Sequence, residues 1–399
     1  MAYLEEFTIH GLASHKRPVH RKLDRHVNIF WGLNGTGKTS LLKILHAAMR
    51  NDTASLQRVP FVSAEVIFVS TAHQARIRRT ISTDVDSSHS DDVVEVETAL
   101  EPIGDGLWRE KPVERSSSWT TEVLTAEPAS PIPRTEASFR HSYLPISRLN
   151  QVTNPQTYRS VARGGAIDEA FLDDDFADQV RRRWQGYNAD ALASIRAIQQ
   201  QGLAAILAQL FGGGTGTSRV SLEKVTGKEA YALVRGFLSE QGISLRVGQN
   251  EFLRRYEQQT DLRSVVSNIQ DVTREVQEAL RAQHDFQEVI QTLYSGDKEL
   301  LFDVGRAARG SLRIQANGTA IPLQSLSSGE KQLLRLMLET LAAEEDVVMI
   351  DEPELSMHVD WQQVLVASMR RVNPDCQLLL ATHSPEVMAD VPNEYVFEL

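Results

Sequence analysis

The sequence predicts an α/β protein: a mostly parallel sheet with an antiparallel β-meander attached and a long helical, coiled-coil-like insertion. Three observations carry this. Short apolar strands alternate with helical stretches near both ends of the 399-residue chain, the pattern of a parallel sheet covered on both faces. Segments rich in β-branched residues, separated by Ser, Asp and Gly, fill residues 61–125. From Val265 to Leu293 the inward positions recur in alternating steps of four and three, a heptad seam.

The elements follow in order. Val27–Trp31 reads as a strand, and Thr39–Met49 has helical spacing through Leu41, Leu42, Ile44 and Leu45. The meander is expected from strands at Val62–Ser70, Arg76–Ser82, Val93–Leu100 and Trp119–Thr125, with a further strand around Tyr143–Ile146. Residues 126–138 read as a loop. Helices are predicted over 168–210, 227–240 and 250–294. Between the first two, Gly212-Gly213-Gly214-Thr215-Gly216 has no preceding strand and no following lysine, and reads as a flexible linker. The seam runs through Val265, Ile269, Val272, Val276, Ala279, Gln283, Phe286, Ile290 and Leu293. One helix over that whole stretch would span about 60 Å, and the earlier helices of the insertion are its expected partners. Strands at Leu300–Val304, Leu312–Gln315, Val347–Ile350, Gln377–Ala381 and Tyr395–Glu398 then alternate with helices at Gly329–Ala343 and Trp361–Arg371. The expected organisation is 1–165 as the first part of a head, 166–297 as the insertion and 298–399 as the second part.

Composition narrows the class. With 41% hydrophobic and 24% charged residues the chain is ordinary globular protein. No run of 18 apolar residues exists, so no transmembrane helix and no membrane partner is expected. The first residues lack the apolar core of a secretory signal, and Cys376 is the sole cysteine, which fits a cytoplasmic protein with one buried thiol. A net charge of −11 argues against coating nucleic acid through bulk charge. The basic clusters His15–His26 and Arg181–Arg183 read as solvated faces, and Asp173-Asp174-Asp175 as a solvated helical turn, since consecutive helical residues point apart.

Two stretches carry chemistry. Gly32-Leu33-Asn34-Gly35-Thr36-Gly37-Lys38-Thr39 fits G-x-x-x-x-G-K-[ST] between a strand and a helix. Asn34, Gly35, Thr36 and Gly37 would turn backbone N–H groups toward phosphates at a helix N-terminus. Lys38 would reach the β- and γ-phosphates of ATP, and Thr39 would ligate Mg²⁺. The apolar strand Val347–Ile350 ends in Asp351-Glu352. Asp351 would hold Mg²⁺, and Glu352 would orient or deprotonate an attacking water.

Leu326-Ser327-Ser328-Gly329-Glu330-Lys331-Gln332 resembles the signature of ABC-type ATPases, with Ser328 and Glu330 in place of a glycine and a glutamine. Asp351 follows Gly329 by twenty-two positions, as in that family. The resemblance implies that Ser327, Ser328 and Gly329 contact the γ-phosphate held by an opposite head, so the chain would pair with itself. It implies that His383, in Thr382-His383-Ser384-Pro385, is the switch histidine. Leu355-Ser356-Met357-His358 falls where the family crosses its dimer interface, with His358 replacing an acid; Gln151 is the candidate for the family's remaining glutamine.

The distance from Lys38 to Ser327 exceeds that of a transporter subunit. Asp-Glu-Pro-Glu-Leu-Ser-Met-His and Leu-Ser-Ser-Gly-Glu-Lys-Gln look like stand-alone bacterial ATPases of the OLD/SMC-like group and the ATPase subunits of PARIS, Septu and retron anti-phage systems. The chain carries no Toprim-like acid cluster after His383. The resemblance therefore implies a separately encoded effector, a nuclease or toxin, with DNA or a phage protein as trigger. The alternative is an SMC-like repair or chromosome-associated ATPase that binds DNA.

Overall fold

The computed structural model describes residues 2–71, 73–82, 98–104, 107–112, 118–125, 138–145, 169–210, 226–240, 242–294, 298–302 and 312–399. Gln151, the glycine linker at 212–216 and the expected strand ends at 93–97, 146 and 303–304 lie outside these residues.

In chain order the strands and helices are β1 (Ala2–His10), β2 (Val19–Lys22), β3 (Val27–Trp31), α1 (Lys38–Arg50), β4 (Ser63–Ser70), β5 (Ala75–Ser82), β6 (Thr98–Gly104), β7 (Leu107–Pro112), β8 (Thr120–Val123) and β9 (His141–Leu144). The helices α2 (Glu169–Leu210), α3 (Gly227–Glu240), α4 (Gln249–Gln258) and α5 (Thr260–Leu293) follow. Then come β10 (Lys298–Phe302), β11 (Leu312–Ala316), β12 (Thr319–Ile321), α6 (Ser328–Leu341), β13 (Val347–Asp351), α7 (Val359–Val372), β14 (Gln377–Thr382), a one-turn α8 (Pro385–Met388) and β15 (Val396–Glu398). The chain forms two compact units, one of Met1–Val180, Val289–Leu301 and Arg313–Leu399, the other of Arg181–Glu288 and Phe302–Leu312.

The first unit is the expected mixed α/β head. Its parallel sheet has the order β15-β3-β14-β13-β9, and every neighbouring pair runs parallel. Every residue of β13 and β14 is buried, which is why their sequences are continuous apolar runs rather than alternating ones. A second, antiparallel sheet has the order β2-β1-β4-β5-β8. β6 and β7 form a separate hairpin rather than joining the meander. One apolar core links the layers: Leu41 and Leu45 of α1 share it with Phe7, Ile9 and Phe68 of the antiparallel sheet and with Phe30, Met349 and Leu379 of the parallel one.

Arg79 of β5 ties the antiparallel sheet to α1. Its guanidinium is buried against the rings of Phe68 and Phe139 and donates to the carbonyls of Ala48 and Met49 in the last turn of α1. A cation at a helix C-terminus satisfies orphan carbonyls and opposes the dipole. Burial lowers its pKa to about 10. Cys376 is buried as expected, its thiol pushed up to about 12 by burial.

The second unit is helical. Ile206, Val234, Phe237, Phe252, Ile269 and Val272 form its core, so the seam of α5 packs on the earlier helices of the insertion. Trp184 and Phe286 stack with centroids 5.8 Å apart. The single helix expected over 250–294 is instead two, because Gln259 is extended (φ −109°, ψ 117°). Thr260 and Asp261 follow the break, residue types that favour a helix start over its interior. The 34 residues of α5 span about 51 Å at 1.5 Å per residue.

Candidate nucleotide-binding site

The glycine loop leaves the end of β3, a strand bordered by β14 and β15, so it stands at the C-terminal edge of the parallel sheet. That edge is where open α/β sheets take ligands. Gly35 and Gly37 adopt φ of +90° and +100°, the left-handed range that a side chain would strain. A Cβ on Gly37 would also lie 2.9 Å from the Cβ of Ala13. Leu33, Asn34 and Gly35 are exposed, with Thr36 and Gly37 half-buried behind them. The Lys38 ammonium is buried and donates to the carbonyls of Gly32 (2.7 Å) and Leu33 (3.1 Å), which lays it along the loop.

Asp351 closes β13, in register with Ala381 of β14. Its carboxylate is buried, and neither oxygen has a hydrogen-bond partner among the described residues. Burial pushes its pKa up to about 6; the Thr39 hydroxyl pulls the other way without completing a well-formed bond, the Glu352 charge raises it, and Lys43 and Lys38 lower it. A buried acid beside a hydroxyl, with acceptors unmet, is a hard oxygen donor set, and it fits Mg²⁺ better than a softer metal.

Glu352 has φ +53°, a left-handed backbone that costs a non-glycine residue about 1–3 kcal/mol. Its N–H donates to the Ala381 carbonyl at 2.8 Å, which holds the turn. The side chain is buried, and its Oε2 contacts Nδ1 of His383. Burial and the neighbouring Glu354 charge push the Glu352 pKa up, against the opposing pull of His383 and Lys38.

Glu354 was not singled out in the sequence reading, and it fixes the histidine loop. Its Oε1 accepts from the Thr382 hydroxyl (2.7 Å) and from the N–H groups of His383 (3.0 Å) and Ser384 (3.2 Å). Nδ1 of His383 lies 3.2 Å from the same oxygen. The signal was present as a third acid, one residue past Pro353. Asp351, Glu352, Lys38, Thr39 and His383 thus meet at one sheet edge.

The signature residues do not bond to that cluster. Ser327 caps α6: its Oγ accepts from Glu330 N–H (3.3 Å), and Glu330 Oε2 accepts from Ser327 N–H (2.7 Å), a reciprocal capping box. Glu330 also takes the Lys298 ammonium at 2.8 Å, and the Tyr294 hydroxyl donates to its carbonyl at 2.6 Å. The substitution of Glu for the family's glutamine therefore supplies an anchor. Ser327 and Ser328 remain exposed. Gly329 is buried, and a Cβ there would meet the Ser356 carbonyl oxygen at 2.4 Å, so a glycine is required by the loop packed against it. His358 caps α7, its Nδ1 accepting from Asp360 N–H at 3.4 Å. The aspartates expected to be solvated behave otherwise: Asp173 binds Lys331 (2.6 Å) and Asp174 binds Gln324 (2.8 Å), because α2 starts beside α6 within the same unit.

Residues 233–389 match the family described as "AAA domain, putative AbiEii toxin, Type IV TA system". The chain is similar to the "Retron Vc95 probable ATPase" of Vibrio cholerae serotype O1 biovar El Tor, 31% identical over 130 residues, covering 29% of this chain and 25% of the relative. It is also similar to the "Retron Ec83 probable ATPase" of Escherichia coli, 28% identical over 101 residues, covering 22% and 19%. The matched segments thus span a quarter or less of these relatives' lengths. Among solved structures, the Smc head domain with an extended coiled coil from Pyrococcus furiosus, bound to the C-terminal domain of ScpA, aligns with 98% of this chain and 92% of its own at 12% identity and a TM-score of 0.44. The site residues and these sequence matches make the chain similar to ABC-type ATPases. The curated proteins it resembles in sequence include these two probable ATPases of retrons.

Proposed function

We propose that this protein binds Mg²⁺-ATP at the C-terminal edge of its parallel sheet and hydrolyses it when two heads pair. In doing so it controls a separately encoded effector, a nuclease or toxin, in anti-phage defence. The observation that carries the reading is the convergence of Lys38, Thr39, Asp351, Glu352 and His383 on one edge, with buried acceptors unmet.

Lys38 exchanges its loop carbonyls for phosphate oxygens, and the exposed loop N–H groups face the same anion. Thr39 and Asp351 hold Mg²⁺, which when bound neutralises charge building on the transferred phosphoryl group. Glu352 is the general base, its raised pKa making it a stronger proton acceptor than a solvated carboxylate. His383, held by Glu354 through its backbone, orients Glu352 and reads the γ-phosphate. Ser327, Ser328 and Gly329 serve the site of the opposite head, since Ser327 bonds to Glu330 and Gly329 packs against the Ser356 carbonyl rather than against the glycine loop.

Control of an effector rests on the likeness to the retron ATPases. A DNA-associated ATPase is the second reading, supported by the exposed Arg181 and Arg182 of α2 and opposed by the net charge of −11. Among the described residues no helix is long and apolar enough to cross a membrane. The test is phosphate release by the wild type and by Glu352→Gln, which keeps the shape and removes the base. Turnover is expected to fall by about two or more orders of magnitude while ATP still binds. Unchanged release would remove Glu352 from the chemistry.

A further inference from the structure

Beside the Asp351 carboxylate a second buried polar group goes unpaired. The Tyr143 hydroxyl is buried and has no hydrogen-bond partner among the described residues. Its position follows from register. Tyr143 of β9 pairs with Met349 of β13, and Asp351 lies two residues further along the same strand, hence on the same face. Across from that face, Thr39, Lys43 and His46 recur on α1 at steps of four and three, one helical stripe. Thr39 and Lys43 both act on the Asp351 carboxylate, and the His46 ring lies 4.7 Å from the Tyr143 ring.

Neither neighbouring imidazole bonds to the phenol. His141 Nδ1 lies 2.7 Å from the Phe139 carbonyl and carries its proton toward it, so His141 Nε2 accepts from His46 Nδ1 at 2.7 Å. The two rings are committed to each other. Burial, with the nearby Asp351 charge, raises the phenol's pKa, so the hydroxyl stays protonated and keeps both a donor and an acceptor. A buried hydroxyl and a buried carboxylate, close enough to interact and sharing no hydrogen bond, need a third group between them.

This inference rests on the Mg²⁺-ATP reading. We propose that Tyr143 is a positioning residue for the cation, its hydroxyl holding a water of the Mg²⁺ bound through Thr39 and Asp351. Mg²⁺ surrenders its hydration shell reluctantly and keeps several waters, each of which must be accepted by some neighbour. Among the described residues the Tyr143 hydroxyl is the unpaired neutral group beside Asp351 in the sheet.

The experiment is Tyr143→Phe, with Mg²⁺ titrated against binding of a fluorescent ATP analogue, and the same analogue bound in EDTA. The expected result is a rise of about tenfold in half-saturating Mg²⁺, the scale of a lost hydrogen bond in a charged site, with EDTA affinity unchanged. Melting temperature should hold or rise, because the variant removes an unsatisfied buried hydroxyl. The shift should vanish in an Asp351→Asn background, where the cation is already lost. An unchanged Mg²⁺ requirement overturns the proposal. Equal weakening with and without Mg²⁺ also overturns it, as a structural effect. A wild type that does not bind the analogue at all would instead sink the nucleotide reading on which it rests, and one whose binding ignores Mg²⁺ would sink the cation site.

Discussion

The sheet edge and the start of α6 treat their polar groups in opposite ways. At the edge, both oxygens of Asp351, one oxygen of Glu354 and the Tyr143 hydroxyl are buried without hydrogen-bond partners, and Glu352 sits in a strained turn. At α6, Ser327 and Glu330 satisfy each other, and Lys298 and Tyr294 add to Glu330. Unpaired buried acceptors reduce stability and persist where a ligand completes them. A capped, tethered helix start with exposed serines is already complete and can be presented rigidly to something outside its own head. One end is built to receive a nucleotide and the other to be offered to one.

That contrast can be broken at either end. The largest effect is expected at the receiving end. Lys38→Ala removes the buried ammonium that faces the phosphates, and ATP affinity should fall by about ten- to hundredfold, the range for hydrogen bonds to charged groups. Calorimetry giving equal affinities in variant and wild type would refute the role of the loop.

A smaller effect is expected at the offering end. In an ordinary helix, Gly to Ala is favourable by roughly 1 kcal/mol. At Gly329 the added Cβ would meet the Ser356 carbonyl oxygen at 2.4 Å, and overpacking of this kind costs about 1–3 kcal/mol. Gly329→Ala should therefore lower the melting temperature by a few degrees. A rise would mean that the loop does not press on α6 as described.

How far the sequence revealed this arrangement depends on the length of chain each feature needs. The glycine loop, Asp351 and Glu352 were legible because they sit within a few residues of an apolar strand. The parallel sheet was legible because β13 and β14 are buried on both faces and carry no polar interruption. The anchoring role of Glu354 was not legible: its partners, Thr382 to Ser384, lie about thirty residues away, and two of the three meet it through backbone N–H groups that carry no sequence signal. The bonds of Asp173 to Lys331 in α6 and of Asp174 to Gln324 just before it were missed for the same reason, as they join positions more than a hundred residues apart. The break at Gln259 was hidden by a heptad pattern that begins only at Val265.

The claim that the two ends belong to different heads of one site is tested most directly by mixing. Ser327→Arg should block hydrolysis while each head still binds ATP, and Lys38→Ala should leave its own glycine loop too weak to fill at an ATP concentration that saturates the wild type. In a heterodimer of the two variants, the intact glycine loop of the Ser327→Arg chain meets the intact signature of the Lys38→Ala chain, so one composite site is whole, while the other joins the altered loop to the altered signature and is dead. The account predicts that the mixture regains turnover above either variant alone, up to one working site per mixed pair. If each head instead used its own signature, both sites would be defective within their own chains, and a mixture that stays as silent as the separate variants, with mixed pairs verified by mass, would contradict the account.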